Sequence, residues 1–167
     1  MPTHIERKTL NSEAASLNQK GRDGRAEAVA KEAVRVAAQA FGPDHPAAAP
    51  SLNNLARLYK TQGRHMLAEP LYQRALVIRE QAFGPEHPDV ATSLKNLAEL
   101  YRTQGRYAQA EPLYHRALAI KVKTLGPDHP KVVRILEKMA ALYRKTGRDE
   151  DAALLALRAA AVWAIKR

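Results

Sequence analysis

The chain has no cysteine, so disulfides, thiolate metal sites and cysteine nucleophiles are excluded, and a reducing compartment is allowed. Aromatic residues make up only 5% of it, and the β-branched residues are scattered, which leaves little material for a sheet. Long apolar runs are missing too. No window approaches the run of about 20 apolar residues that spans a bilayer, and Met1 to Leu10 has no apolar stretch of the signal-peptide kind. A membrane anchor and secretion are therefore not expected, and the cytoplasm is the expected location. Acidic residues are in deficit, 17 against 27 Lys and Arg, and the resulting formal charge of +10 points to acidic partners. What remains is an alanine-rich chain of 167 residues, 46% apolar, which suits one folded, all-α domain.

One pentapeptide frame returns three times, as Gly42-Pro-Asp-His-Pro46, Gly84-Pro-Glu-His-Pro88 and Gly126-Pro-Asp-His-Pro130, at a spacing of 42 residues. A second frame returns four times at the same spacing: Gly21-Arg22, Gly63-Arg64, Gly105-Arg106 and Gly147-Arg148. Four repeats fit, over 1–41, 42–83, 84–125 and 126–167. The first frame cannot continue a helix, and the second falls between two helical patterns, where glycine can close a helix at positive φ. Each repeat is thus expected to be a helical hairpin. Leu52, Leu55, Ala56, Leu58 and Tyr59 mark one apolar stripe, and Ala68, Leu71, Tyr72, Ala75 and Ile78 the next. Small residues recur at Ala26, Ala68, Ala110 and Ala152, and at Ala33, Ala75, Ala117 and Ala159, where helices must approach closely. Tyr59, Tyr101, Tyr143, Tyr72 and Tyr114 recur in register with the stripe and read as packing residues.

The run Ser51-Leu-Asn-Asn-Leu-Ala-Arg-Leu-Tyr59, followed by Gly63-Arg64, Ala68-Glu-Pro-Leu-Tyr72 and Ala75-Leu76, resembles a tetratricopeptide repeat. The 42-residue period and the Gly-Pro-Asp-His-Pro linker resemble the kinesin light chain variety of that family, with helices longer than in the common 34-residue form. The resemblance implies a single domain that is a right-handed α-solenoid of about four antiparallel hairpins, and a binding role without chemistry. The ends depart from the pattern. Glu13 and Ser16 stand where later repeats carry Leu55 and Leu58, which reads as an N-terminal cap with a polar outer face. The last helix is apolar almost all round, so either the array continues or this end packs on another subunit.

No phosphate-binding glycine loop, zinc-protease helix or nucleophile elbow is present, so no catalytic residue, no cofactor and no metal site is expected. His45, His87 and His129 lie too far apart in successive hairpins to share one ion, and are expected to help turn the chain into the next helix. The candidate site is the first helix of each hairpin, which in the resemblance lines a concave groove. Its residues are Asn53, Asn54, Arg57, Lys60, Lys95, Asn96, Arg102, Arg134 and Lys138. Asparagine amides suit the backbone of an extended peptide, and the cations suit carboxylates. The C-terminal carboxylate clamp of co-chaperone tetratricopeptide domains matches Asn96, Arg134 and Lys138 in type, but Asn53 and Arg57 are interchanged relative to it. An internal acidic stretch of a protein partner is therefore the favoured ligand. An alternative is a homodimer, or docking of a longer chain, through Leu154, Leu157, Trp163 and Ile165 of the last helix. Nucleic acid is a weaker alternative, since few exposed aromatics are on offer for stacking.

Overall fold

The computed structural model describes residues 4–165 and, among them, eight α-helices and no strand. They are α1 (His4–Gln19), α2 (Asp23–Phe41), α3 (Ala49–Thr61), α4 (His65–Phe83), α5 (Pro88–Thr103), α6 (Tyr107–Leu125), α7 (Pro130–Lys145) and α8 (Asp149–Ile165). Two compact units, Met1–Pro85 and Glu86–Arg167, each hold two hairpins, α1–α2 with α3–α4 and α5–α6 with α7–α8.

Both turn types follow from local chemistry. At Gly63 the chain takes φ 72°; Gly63 N–H donates to the Lys60 carbonyl at 3.0 Å and Arg64 N–H to the Tyr59 carbonyl at 2.8 Å. This is a Schellman end, which presses the residue after the glycine against the one three places inside the helix. Here those residues are Arg64 and Tyr59, and the guanidinium lies over the ring at 4.6 Å. Arg106 over Tyr101 and Arg148 over Tyr143 repeat the contact at 4.2 and 3.9 Å. At the other corner Gly84 has φ 85° and ψ 163°, a region open essentially only to glycine.

The three linker histidines cap the helices that follow. Nδ1 of His45, His87 and His129 accepts the backbone N–H of Ala47, Asp89 and Lys131, each at 3.1 Å, and a proline opens the next turn. Pro50 has no N–H to donate to the Pro46 carbonyl, so that second repeat starts with a short 3₁₀ turn, Pro46–Ala48, before α3.

The apolar stripes pack as the periodicity predicts. In Met1–Pro85 a cluster forms from Ala49, Leu52, Ala75 and Ile78 with Val34 and Leu71 against it. In Glu86–Arg167, Val132, Val133, Leu136, Ala159 and Val162 pack with Leu118, Val122 and Leu155. All eight recurrent alanines are buried, as are the five stripe tyrosines. On α1, Glu13 is exposed and Ser16 half-buried. No helix among the described residues is long and apolar enough to cross a membrane.

Candidate functional site

In Met1–Pro85 the expected binding residues lie on α3. Arg57 is exposed, while Asn54 and Lys60 are half-buried. Asn54 Oδ1 accepts from Arg57 at 3.4 Å. Asn53 departs from expectation: one helical step of about 100° turns it inward, its side chain is 8% exposed, and Oδ1 has no hydrogen-bond partner. It is a recessed amide and not part of an open surface. On α1, Asn11 Nδ2 donates to Ser51 Oγ at 3.1 Å.

In Glu86–Arg167 the first helices are α5 and α7. Their charges are organised by Glu99, a carboxylate in the C-terminal half of α5 that lies outside the expected set. Glu99 accepts from Tyr114 Oη at 2.6 Å and from Arg102 Nη2 at 2.7 Å, and it pairs with Lys138 Nζ at 2.8 Å. Burial pushes this carboxyl up, but the three donors outweigh burial and hold it far below the usual range. The same contacts hold the Tyr114 hydroxyl well above its ordinary value, burial first and the donated bond to Glu99 second. Arg102 and Lys138, both expected as open cations, are therefore already engaged inside the protein.

Lys95, Lys131 and Arg134 make no ion pair among the described residues. They line a cleft of about 340 Å³ between the N-terminal halves of α5 and α7, together with Lys138 and with Lys121 of α6. Lys121 and Lys131 stand outside the expected set, although Lys131 shares the α7 face of Arg134 and Lys138 by its three- and seven-residue spacing. Lys121 comes from a second helix, and Lys131 from the turn that opens α7. Asn96 is half-buried on α5.

A second, repeated constellation ties hairpin to hairpin. Glu27 of α2 takes Lys31 at 2.7 Å, Arg64 at 2.5 Å and the Tyr59 hydroxyl at 3.1 Å. Lys31 and Arg64 hold its carboxyl down to about 2. Glu111 of α6 pairs in the same manner with Arg148 at 2.7 Å; burial raises its carboxyl, but Arg148 and Tyr143 outweigh burial and hold it below the usual range. These groups are consumed in structure. No cluster among the described residues has the make-up of a metal site.

On α8 the four residues expected to self-associate separate into two sets. Leu154, Leu157 and Ile165 share one exposed stripe, whereas Trp163 lies on another side and donates Nε1–H to Glu137 at 3.1 Å. Counted back by 42 residues, the stripe corresponds to Pro112, His115 and Lys123, all exposed on α6. The next hairpin packs instead over Leu118 and Val122 of α6, whose counterparts on α8 are Ala160 and Ala164. A further repeat would therefore cover those alanines and leave the leucine stripe in the open.

A family model described as tetratricopeptide repeat matches residues 6–76, 59–121 and 96–164. Among solved structures, a Podosopora anserina protein assigned as a kinesin light chain, with nearly identical TPR-like repeats, is 25% identical at a TM-score of 0.88, over 100% of this chain and 79% of its own. BtubC (BKLC) from P. vanneervenii is 23% identical at a TM-score of 0.86, over 97% of this chain and 65% of its own. MamA is 17% identical at 0.69, over 96% and 80%. A comparison with curated proteins finds no match.

Proposed function

From the premise that the chain belongs to the tetratricopeptide repeat family, in its kinesin light chain-like form, we propose that its partner is an extended acidic segment of another protein. The coarser part is plain: the fold is an all-α solenoid of a kind that serves as a protein–protein interaction scaffold and is typically non-catalytic. One observation carries the finer part. After the internal pairs of Glu99 are counted, the face of α5 and α7 keeps Lys95, Lys131 and Arg134 without a carboxylate. Cations left unpaired beside one another favour an incoming anion by charge and by charge-assisted hydrogen bonds. In the other unit, taken by itself, α3 presents Arg57 as an exposed cation.

Lys131 and Arg134 are both exposed, so reversing them tests the reading with little risk to the core. Lys131→Glu with Arg134→Glu should weaken binding of a fluorescent Asp/Glu-rich peptide at least about 30-fold at physiological salt, roughly 2 kcal/mol. Anisotropy titration measures it; equal affinity for both proteins removes the proposal. Arg102→Glu is unsuitable, because it would set a second carboxylate against Glu99.

A second reading rests on the stripe Leu154, Leu157 and Ile165, exposed at positions that array continuation would not cover. It is association of two copies through α8. Sedimentation should then show a dimer whose population falls on Leu154→Ser with Leu157→Ser; a monomer at every concentration ends this reading.

A further inference from the structure

The cleft of the Glu86–Arg167 unit carries more charge than a carboxylate ligand calls for. Five cations line it, Lys95, Lys121, Lys131, Arg134 and Lys138, and no carboxylate does. Lys138 is shared with Glu99, whose oxygens already serve Arg102 and Tyr114. Lys121 gives one bond to the Pro88 carbonyl at 3.2 Å. Lys95 and Lys121 are recessed among like charges. Burial, then the nearby Lys138, Arg134 and Lys131, hold the Lys95 ammonium below the lysine range against the opposing pull of Glu99; burial, then Lys131 and Lys95, do the same for Lys121 against that of Asp89. The scaffold does not impose this cluster, since the same positions one repeat earlier are Asn53, Arg79, Asp89, Thr92 and Asn96.

We propose that this cleft binds a phosphoryl group carried on the partner polypeptide. The inference rests on the acidic-peptide reading above and sharpens it to a phosphorylated segment. A carboxylate cancels one charge, whereas a phosphate monoester brings between about 1.5 and 2 negative charges and three acceptor oxygens. Ammonium groups arriving from α5, α6 and α7 can each take a different oxygen. At about 340 Å³ the cleft has room for the phosphate and for the backbone that carries it. Its remaining walls, Ala91, Thr92 and Ile135, are apolar or hydroxylated, with no aromatic ring to stack a base, which favours a polypeptide carrier over a nucleic acid.

Three fluorescent peptides identical but for a central Ser, Glu or phosphoserine in an Asp/Glu-rich context test it by anisotropy, with inorganic phosphate and an oligothymidylate as competitors. The phosphoserine peptide should bind about ten-fold more tightly than the Glu peptide. Lys95→Gln with Lys121→Gln should erase that advantage, weakening the phosphoserine peptide about ten-fold more than it weakens the Glu peptide, with a denaturation midpoint unchanged or raised because a crowd of like charges is relieved. Equal affinity of the phosphoserine and Glu peptides overturns the inference and leaves the acidic-peptide reading standing. Binding of the phosphoserine peptide alone supports the inference and removes the broader reading. Inorganic phosphate competing as well as the phosphopeptide makes this a free-anion site, and oligothymidylate competing better makes it a nucleic-acid site; either result overturns the assignment to a polypeptide.

Discussion

Glu99→Ala is expected to destabilise the Glu86–Arg167 unit by about 3 kcal/mol, although it removes one acid from a basic protein. The Tyr114 hydroxyl, on a side chain with no exposure, loses its acceptor and stays buried. Arg102 and Lys138 lose a common counter-charge; each is about one third exposed and partly rehydrates, which keeps the cost below that of a fully buried pair. The same change should tighten binding of an acidic peptide several-fold, because Lys138 is released to the cleft. Urea denaturation and peptide titration read the two effects; a variant as stable as the parent refutes the central role of this carboxylate. Acid should act in the same direction as the mutation. The carboxyls of Glu99 and Glu27 titrate lower in the folded chain than the ordinary value near 4.3, Glu27 at about 2. Their contribution is complete above that ordinary value and is lost as pH falls from about 5 toward the folded values. The parent should therefore lose stability over this window, and Glu99→Ala should lose less.

Leu136→Ala should cost about 2–5 kcal/mol, and the loss should appear first in α8. Leu136 is fully buried among Val132, Val133, Ala159 and Val162, and the last two of these are most of what α8 buries. Hydrogen exchange should show α8 amides losing protection before those of α5 and α6. Leu154→Ala is the matched control. That side chain is 66% exposed, so the change should fall within about 0.5 kcal/mol. Equal costs at Leu136 and Leu154 would contradict the burial described for α7 and α8.

The helices, their corners and their close contacts were legible in the sequence because each is written in neighbouring residues. A corner glycine, a histidine with proline after it and an alanine at every close approach need no knowledge of the rest of the chain. The site was legible only in part. That Glu99 faces Arg102 follows from three-residue helical spacing, but that it also holds Lys138 depends on how α5 and α7 pack, which no local pattern encodes. Lys121 was missed for the same reason, since its ammonium reaches the cleft from a second helix. Asn53 and Asn54 are adjacent in sequence, yet a rotation of about 100° buries one and leaves the other half open. Trp163 is two residues from Ile165, yet its indole turns to the other side of α8, onto Glu137.

The short reach of the ties between hairpins has a consequence for how the chain is made. Glu27 meets Arg64 and Glu111 meets Arg148 across 37 positions each, and Asp44 meets Arg74 across 30. Closing such loops costs little entropy, and topologies built on near neighbours in sequence fold quickly. The ties described for Met1–Pro85, from Asn11–Ser51 to Asp44–Arg74, have both partners synthesised by the time residue 74 is added. The first unit can thus acquire them before the lysines of the cleft leave the ribosome, and the basic segment emerges after that structure has formed.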